Sequence, residues 1–316
     1  MKHYKIAFVG LGSIATRHLK NVHAYLATQG DSCEVDLYRS SMGRPLADEL
    51  LPLVSNTYLY AEPLTADRQY DVVFVTNPTS MHYETIEKFC ENTKSFFIEK
   101  PVFDSTHVDE TIFEKIKGIK SYVACPLRYN AVLQYVKAHV NLADVICARA
   151  ISSSYLPDWR PGQDYRKTYS AHKDMGGGVS IDLIHEWDYL TWLFGMPTHC
   201  QQIIGKVSNL EIDSDDLAIY IGKSDKMAFE LHLDYFGRQT LRTLDLFTSD
   251  DTIHCDLIAG TVSYLKGGNV VKMESERNAF QMREIEHFFD IVNNKIDNDS
   301  TPEHAYRVLK LAKGEL

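Results

Sequence analysis

Three groups of residues in this chain have types and spacings that could do chemistry. Gly10-Leu11-Gly12-Ser13-Ile14-Ala15 follows the apolar run Ile6-Ala7-Phe8-Val9. Gly10 would permit a tight turn, Gly12 would let the backbone approach a pyrophosphate, and the small Ala15 would allow close helix–strand packing. A helix opening at Ser13 and Ile14 would offer free N–H groups and a positive dipole end to the phosphates. Glu99-Lys100-Pro101 follows Phe96-Phe97-Ile98. Proline restricts the residue before it, so Lys100 would be held extended at a strand's end. A lysine beside a nicotinamide can donate a hydrogen bond or proton to a substrate oxygen, and partial burial would lower its pKa. The third group is Gly176-Gly177-Gly178, then Val179-Ser180-Ile181-Asp182-Leu183-Ile184-His185. The glycines would let backbone approach a ligand. Asp182 and His185, three apart, would share one face of a helix running over 179–193 and could orient a hydroxyl and move its proton.

A parallel sheet must position the first two groups. Lys5–Val9, Glu34–Tyr38, Val72–Val75, Ser95–Ile98 and Ser121–Cys125 read as strands. Between them, Ile14, Leu19, Val22 and Leu26 recur at helical spacing, and His82–Glu91 and Val108–Lys117 read as further helices. Such alternation means βαβ units, in which ligands sit at the carboxyl ends of the strands. The Gly10 turn and Lys100 should therefore converge on one crevice. After Pro126 the rhythm changes: a helix over 131–140, a strand over 145–154, a polar and aromatic loop over 156–173, and the helix over 179–193. Leu217–Ile221 and Met227–Asp234 read as a hairpin, Leu241–Phe247 and Thr252–Leu257 as further strands, and Gln281–Asn293 and Glu303–Ala312 as closing helices. The expected fold class is α/β. An N-terminal Rossmann doubly wound parallel sheet would occupy 1–125. A C-terminal α+β domain over 126–316 would carry a large, open, mostly antiparallel sheet. A broad sheet with one bare face predicts a homo-oligomer, dimer or tetramer, formed through that face.

The tip of the second strand distinguishes the cofactors. An acid there would hold a ribose 2′-hydroxyl. The tip here reads Tyr38-Arg39-Ser40-Ser41-Met42-Gly43-Arg44, and the only acid, Asp36, lies inside the strand. Arg39, with Ser40 or Ser41, can pair with a 2′-phosphate, so the expected cofactor is NADP, with NAD as the alternative. In the loop Trp159-Arg160-Pro161-Gly162-Gln163-Asp164-Tyr165-Arg166-Lys167-Thr168-Tyr169, Trp159 and Tyr165 can stack on a sugar ring. Arg160, Arg166 and Lys167 can take a phosphate or carboxylate. Asp182, His185 and Asp188 have metal-ligating types, but His185-Glu186 lacks the second histidine of a zinc-protease helix. No metal is expected. Glu186 and Asp188 read as helix-end or surface acids, and Trp187, Tyr189, Leu190, Trp192 and Leu193 as core.

Bulk properties narrow the class. The 316 residues carry a formal net charge of −10, with 44% hydrophobic and 24% charged residues. That balance argues against nucleic acid or an anionic membrane as the main partner. No run approaches the roughly 18 apolar residues of a membrane span. The six cysteines are scattered singly with no Cys-x-x-Cys pair, as expected of reduced thiols in the cytoplasm.

The Gly10–Ala15 turn, Thr76-Asn77-Pro78 with His82, Glu99-Lys100-Pro101, Arg128-Tyr129-Asn130, and Gly176–His185 followed by Trp192-Leu193-Phe194-Gly195 form an ordered set over most of the chain. That set resembles the glucose–fructose oxidoreductase / inositol dehydrogenase / rhizopine-catabolism family, usually called Gfo/Idh/MocA. The resemblance implies NAD(P)-dependent oxidation or reduction of sugars and related polyols, with substrate between the nicotinamide and the sheet domain. It implies that Lys100 is the catalytic lysine and that Asp182 and His185 are the acid–histidine pair near C4 of the nicotinamide. Many members place that histidine four residues after the aspartate; here the gap is three. It further implies that Thr76, Asn77, Pro78, His82, Glu99 and Arg128 join the cofactor site, and that Arg128 and Asn130 join the substrate site. The loop from Trp159 is similar to one lining the sugar pocket in a branch associated with surface-glycan and sialic-acid-like sugar synthesis. A phosphorylated, nucleotide-linked or acidic sugar would follow. Two alternatives stay open: a non-catalytic dinucleotide-sensing regulator, and an epimerase or lyase that uses NAD(P) transiently.

Overall fold

Short β-branched and aromatic runs build the first sheet. The computed structural model describes residues 1–43, 45–273 and 276–316. They gather into two compact units, 1–124 with 281–306, and 125–280 with 307–316.

The first unit holds strands β1 (His3–Val9), β2 (Ser32–Arg39), β3 (Asn56–Leu59), β4 (Val72–Val75), β5 (Ser95–Ile98) and β6 (Lys120–Val123). Their order is β3-β2-β1-β4-β5-β6, and every pairing is parallel. β4 and β5 are buried throughout, as strands without polar alternation must be when helices cover both faces. Helices α1 (Ser13–Thr28), α2 (His82–Phe89) and α3 (Thr111–Lys115) belong to this unit. The order reverses between β1 and β4, the place where doubly wound sheets open a crevice.

The second unit begins with α4 (Ala131–His139) and β7 (Val145–Tyr155), then α5 (Val179–Asp182) and α6 (His185–Phe194). Strands β8 (His199–Gly205), β9 (Leu217–Lys223), β10 (Ala228–Asp234), β11 (Phe236–Thr248), β12 (Thr252–Asp256), β13 (Thr261–Tyr264) and β14 (Asn269–Lys272) follow. The sheet order is β14-β13-β12-β11-β7-β10-β9-β8, antiparallel except between β7 and β10. One face packs on α6, where Trp187 meets Tyr220 edge-on at 5.3 Å. The other face carries charge across adjacent strands. Arg149 Nε lies 2.5 Å from Glu230 Oε2, and His254 Nδ1 lies 2.6 Å from Asp245 Oδ1.

The structure departs from the sequence-based expectation at particular elements. β3, β8, β13 and β14 went unread, because runs such as His199-Cys200-Gln201-Gln202 lack apolar alternation. The helix expected over 108–117 is only α3. The helix expected over 179–193 breaks at Leu183 (φ −101°, ψ 29°), which caps α5. Two more helices, α7 (Arg277–Val292) and α8 (Pro302–Lys313), close the chain. Residues 281–306, expected with the C-terminal domain, join the unit of the parallel sheet. The reason is apolar: Phe288 of α7 packs edge-on against Phe97 at 5.2 Å and Phe74 at 5.8 Å, covering that sheet.

Candidate active site

A cleft of about 570 Å³ opens where β1, β2 and β4 end. Gly10, Gly12, Arg39, Ser40, Thr76, Asn77 and Pro78 line it, as do Tyr38, Ser41, Tyr60 and Met81. Gly10 has φ +93°, and a Cβ there would lie 2.7 Å from the Asn77 backbone, so only glycine fits. Gly12 is different: an added Cβ would meet nothing within 4 Å, leaving the start of α1 open. The first N–H groups of that helix, from Ser13, Ile14 and Ala15, precede the first helical bond, Thr16 N–H to Gly12 O at 3.0 Å. Ala15 is fully buried. Thr76 Oγ1 donates to Val9 O at 3.0 Å and ties β4 to β1. Asn77 Nδ2 donates to Thr85 Oγ1 at 2.8 Å, while its Oδ1 is buried and without a hydrogen-bond partner among the described residues.

Arg39 is the last residue of β2 and is half-buried. Asp36 is 3% exposed and lies among protein groups, accepting from Asn56 Nδ2 and Tyr70 Oη at 2.8 Å each. No carboxylate therefore stands at the strand tip among the described residues; Arg44 lies outside them. An open helix start, a partnerless acceptor and a tip arginine fit a dinucleotide.

Lys100 follows β5, half-buried, and its amide N–H donates to Glu99 Oε2 at 3.2 Å. Glu99 is not among the cleft-lining residues. Its Oε1 lies 2.5 Å from His18 Nε2 on α1, a side chain only 1% exposed. Burial alone would raise the Glu99 carboxyl, but the His18 hydrogen bond and the neighbouring positive charge outweigh it and hold it below the ordinary value. His82 is a second internal brace. Its Nδ1 faces Val102 O at 3.2 Å and its Nε2 faces Asn77 O at 3.1 Å, and burial lowers its pKa. His82 and Glu99, expected at the cofactor site, brace the segment beside the cleft in this structure.

In the second unit, Asp182 ends α5 and His185 starts α6. The single helical face expected for them does not exist; they flank a break. The Asp182 carboxylate accepts from Tyr235 Oη at 2.5 Å. Burial, then the Asp182 charge, pushes the Tyr235 phenol well above its ordinary pKa, and the same causes raise Tyr169. Two protonated phenols thus attend one carboxylate, with a half-buried imidazole three residues on. Carboxylate and imidazole together can take up and pass a hydroxyl proton. The glycines before α5 accommodate the protein itself rather than a ligand. A Cβ at Gly177 would lie 2.1 Å from Tyr169 O, and one at Gly178 (φ +133°) 2.2 Å from Asp215 Oδ1. Asp215 also accepts from Ser180 N at 2.8 Å and so caps α5.

Several residues expected to contact ligand are engaged elsewhere. Arg128 is 1% exposed and grips Asp188 through two bonds, 2.9 and 2.6 Å. Asn130 caps α4 by accepting from Val132 N at 2.9 Å and is 3% exposed. Arg166 binds both oxygens of Asp164 and also Glu211. Arg128, Asn130 and Arg166, expected at the ligand sites, thus have protein partners in this structure. Asp188 and Glu186 are helix-end acids, in the first turn of α6, but not surface ones: Glu186 is fully buried, its Oε1 2.8 Å from Arg242 Nε. Trp192 is half-buried and lies beneath Lys137, 3.7 Å from ring centre to ammonium. Trp159 donates to Ser154 Oγ at 2.9 Å and meets Tyr235 edge-on at 5.2 Å. Arg160 is exposed, 5.5 Å over the Tyr169 ring, and Tyr165 Oη accepts from Glu211 N at 3.2 Å.

Sequence reasoning missed Tyr60, Tyr235 and His18, and it gave Tyr169 a place in the loop but no partner. An aromatic in a strand-rich stretch reads as core, and a histidine inside a helix carries no signal until its partner is placed. Among the described residues no cluster of three or more His, Cys, Asp or Glu side chains could hold a metal. Burial pushes the Cys33 and Cys200 thiols up to about 11 and Cys255 to about 12, so none of these is an activated nucleophile. Among the described residues no helix is long and apolar enough to cross a membrane.

Known proteins resemble this chain in sequence over part of its length and in fold over nearly all of it. The scyllo-inositol 2-dehydrogenase (NAD(+)) of Bacillus subtilis is 25% identical over 196 residues, 60% of this chain and 54% of that protein. The chain matches only about half the length of its curated relatives, 51% to 54%. The UDP-N-acetylglucosamine 3-dehydrogenase of Acidithiobacillus ferrooxidans has a similar structure, with TM-score 0.76 at 17% identity, covering 99% of this chain and 97% of that one. A levoglucosan dehydrogenase in complex with NADH and levoglucosan gives 0.82 at 13% identity, over 98% and 95%. At these identities the likeness is one of fold. Residues 4–116 match the sequence model of an oxidoreductase family with an NAD-binding Rossmann fold. Residues 4–116 are thus similar to the Gfo/Idh/MocA family of oxidoreductases, over the part of the chain that forms most of the parallel sheet.

Proposed function

We propose that the cleft at the end of β1 binds NADP(H) and that the protein moves hydride between the nicotinamide and a CH–OH carbon of a sugar or sugar derivative. The observation that carries this reading is one cleft combining the open Gly12 turn, the partnerless Asn77 Oδ1 and Arg39 at a tip without a carboxylate. The first unit is then the cofactor domain and the second the substrate domain. When bound, the nicotinamide supplies or accepts the hydride; proton handling falls to the chain. Lys100 donates a hydrogen bond to the substrate oxygen and holds the proton that leaves or returns there. Asp182 orients the hydroxyl, steadied by the Tyr235 phenol, and His185 carries the proton onward.

Arg39, with Ser40 and Ser41, holds the ribose 2′-phosphate. A hydrogen bond to a charged group contributes about 1.5–3 kcal/mol, or about 10–100-fold in affinity. The sugar class draws on the relatives, whose names include inositol and levoglucosan dehydrogenases, and on Trp159 beside Tyr235. Unpaired cysteines fit a reducing compartment, and we place the protein in the cytoplasm. We also assign association of copies to the bare face of the second sheet, where Ile203 and Ile221 are 65% and 64% exposed. A monomer in sedimentation would contradict that assignment. The activity is tested by supplying NADP⁺ or NADPH with sugars, sugar phosphates and nucleotide sugars. At least one class should change nicotinamide absorbance; a folded, cofactor-binding sample inert toward all of them in both directions would overturn the reading.

A further inference from the structure

We propose that a groove of the second unit, walled by Tyr155, Tyr165 and Phe236 and edged by Arg238 and Asn209, takes the nucleoside phosphate end of a nucleotide-linked sugar. This rests on the proposed sugar chemistry and names its substrate class. The groove encloses about 460 Å³, within the roughly 300–1,000 Å³ of small-molecule sites.

Its charge is held ready. The Arg238 guanidinium lies 3.8 Å over the Tyr155 ring and has no carboxylate partner among the described residues. Two other exposed arginines of the same unit are neutralised, Arg149 by Glu230 and Arg166 by Asp164 and Glu211, and Arg160 lies over the Tyr169 ring. In a chain of net charge −10, a cation left without a counter-ion at a groove's edge suits an anion.

The walls are fixed from behind. Asp234 Oδ1 accepts from Phe236 N and Gly237 N at 3.0 and 2.7 Å, shaping the turn that carries Arg238. A Cβ at Gly237 would lie 1.8 Å from Ser153 Oγ, so that turn is seated directly on β7. The buried Asp216 carboxylate accepts from Val207 N and Ser208 N at 2.7 and 3.1 Å, holding the segment that presents Asn209. The Asn209 amide makes no hydrogen bond among the described residues and is exposed. A preorganised groove loses less on binding.

A bare phosphate would leave three aromatic rings unused. A nucleobase would stack on them, a contact contributing about 1–3 kcal/mol per base, and would meet the donor and acceptor of Asn209. The groove also adjoins the chemistry: Phe236 lines it, and the preceding residue, Tyr235, donates to Asp182.

The test is calorimetric titration of the full chain, saturated with NADPH, using UDP, GDP, CMP, uridine and inorganic phosphate. At least one nucleotide should bind, with uridine and phosphate each at least tenfold weaker. Arg238→Ala and Phe236→Ala should each weaken the nucleotide at least tenfold and leave NADPH affinity unchanged. Absence of nucleotide binding at millimolar concentration, phosphate binding as tightly as a nucleotide, or unchanged affinity in both variants would overturn the proposal. Separate NADPH titration keeps its failure distinct from failure of the cofactor reading.

Discussion

In the first unit, the residues picked out by motif keep atoms available at a cleft: the open side of Gly12, Asn77 Oδ1 and the Arg39 guanidinium. In the second, several charged residues picked out by type are already paired, Arg128 with Asp188 and Arg166 with Asp164 and Glu211. A glycine turn has its meaning fixed by the strand before it and the helix after it. A charged side chain does not; its availability depends on partners 60 positions away, as with Arg128 and Asp188. The second unit's unengaged groups, Arg238 and Asn209, sit at places with no sequence signature.

This contrast can be broken at defined points. Lys100→Met should lower turnover by about 100- to 10,000-fold while NADPH binding persists; near-normal turnover in steady-state assays would remove the lysine from the chemistry. Arg128→Ala should destabilise the protein by about 3–5 kcal/mol in urea unfolding, because it strands the Asp188 carboxylate. Arg39→Ala should change stability by less than about 0.5 kcal/mol. Equal destabilisation by the two substitutions would erase the distinction between a structural and a ligand-facing arginine.

A smaller effect concerns acid. Burial lowers the His82 pKa, and Glu99 is also held below its ordinary value. A group depressed in the folded state contributes stability that is full above its unfolded pKa and is lost as pH falls towards the folded value. The windows open below about 6.5 for His82 and about 4.3 for Glu99. The Tm of the protein should therefore fall below about pH 6.5, and His82→Gln should flatten that first stage. An unchanged slope in the variant would remove His82 as its source.

Much of the first sheet was legible because its strands are continuous apolar runs: Val72–Val75 and Phe96–Ile98 admit few other readings. The place of the cleft was legible for the same reason, since strand ends locate it. The break at Leu183 was not, because 179–193 keeps helical apolar spacing across it and only the chain's path beside Asp215 and Tyr235 imposes it. The return of 281–306 to the first sheet was hidden too: an amphipathic helix states that it needs an apolar face, not which one. His82 and Glu99 show a third limit. Motif membership placed them near the cofactor, yet their polar atoms turn to Asn77, Val102 and His18.

The most direct test of the cofactor assignment is fluorescence titration of the wild type and Arg39→Ala with NADPH and NADH. The account predicts that the wild type binds NADPH about 10–100-fold more tightly than NADH, and that Arg39→Ala loses this preference with little change for NADH. Equal affinities in the wild type, or binding of neither, would contradict it.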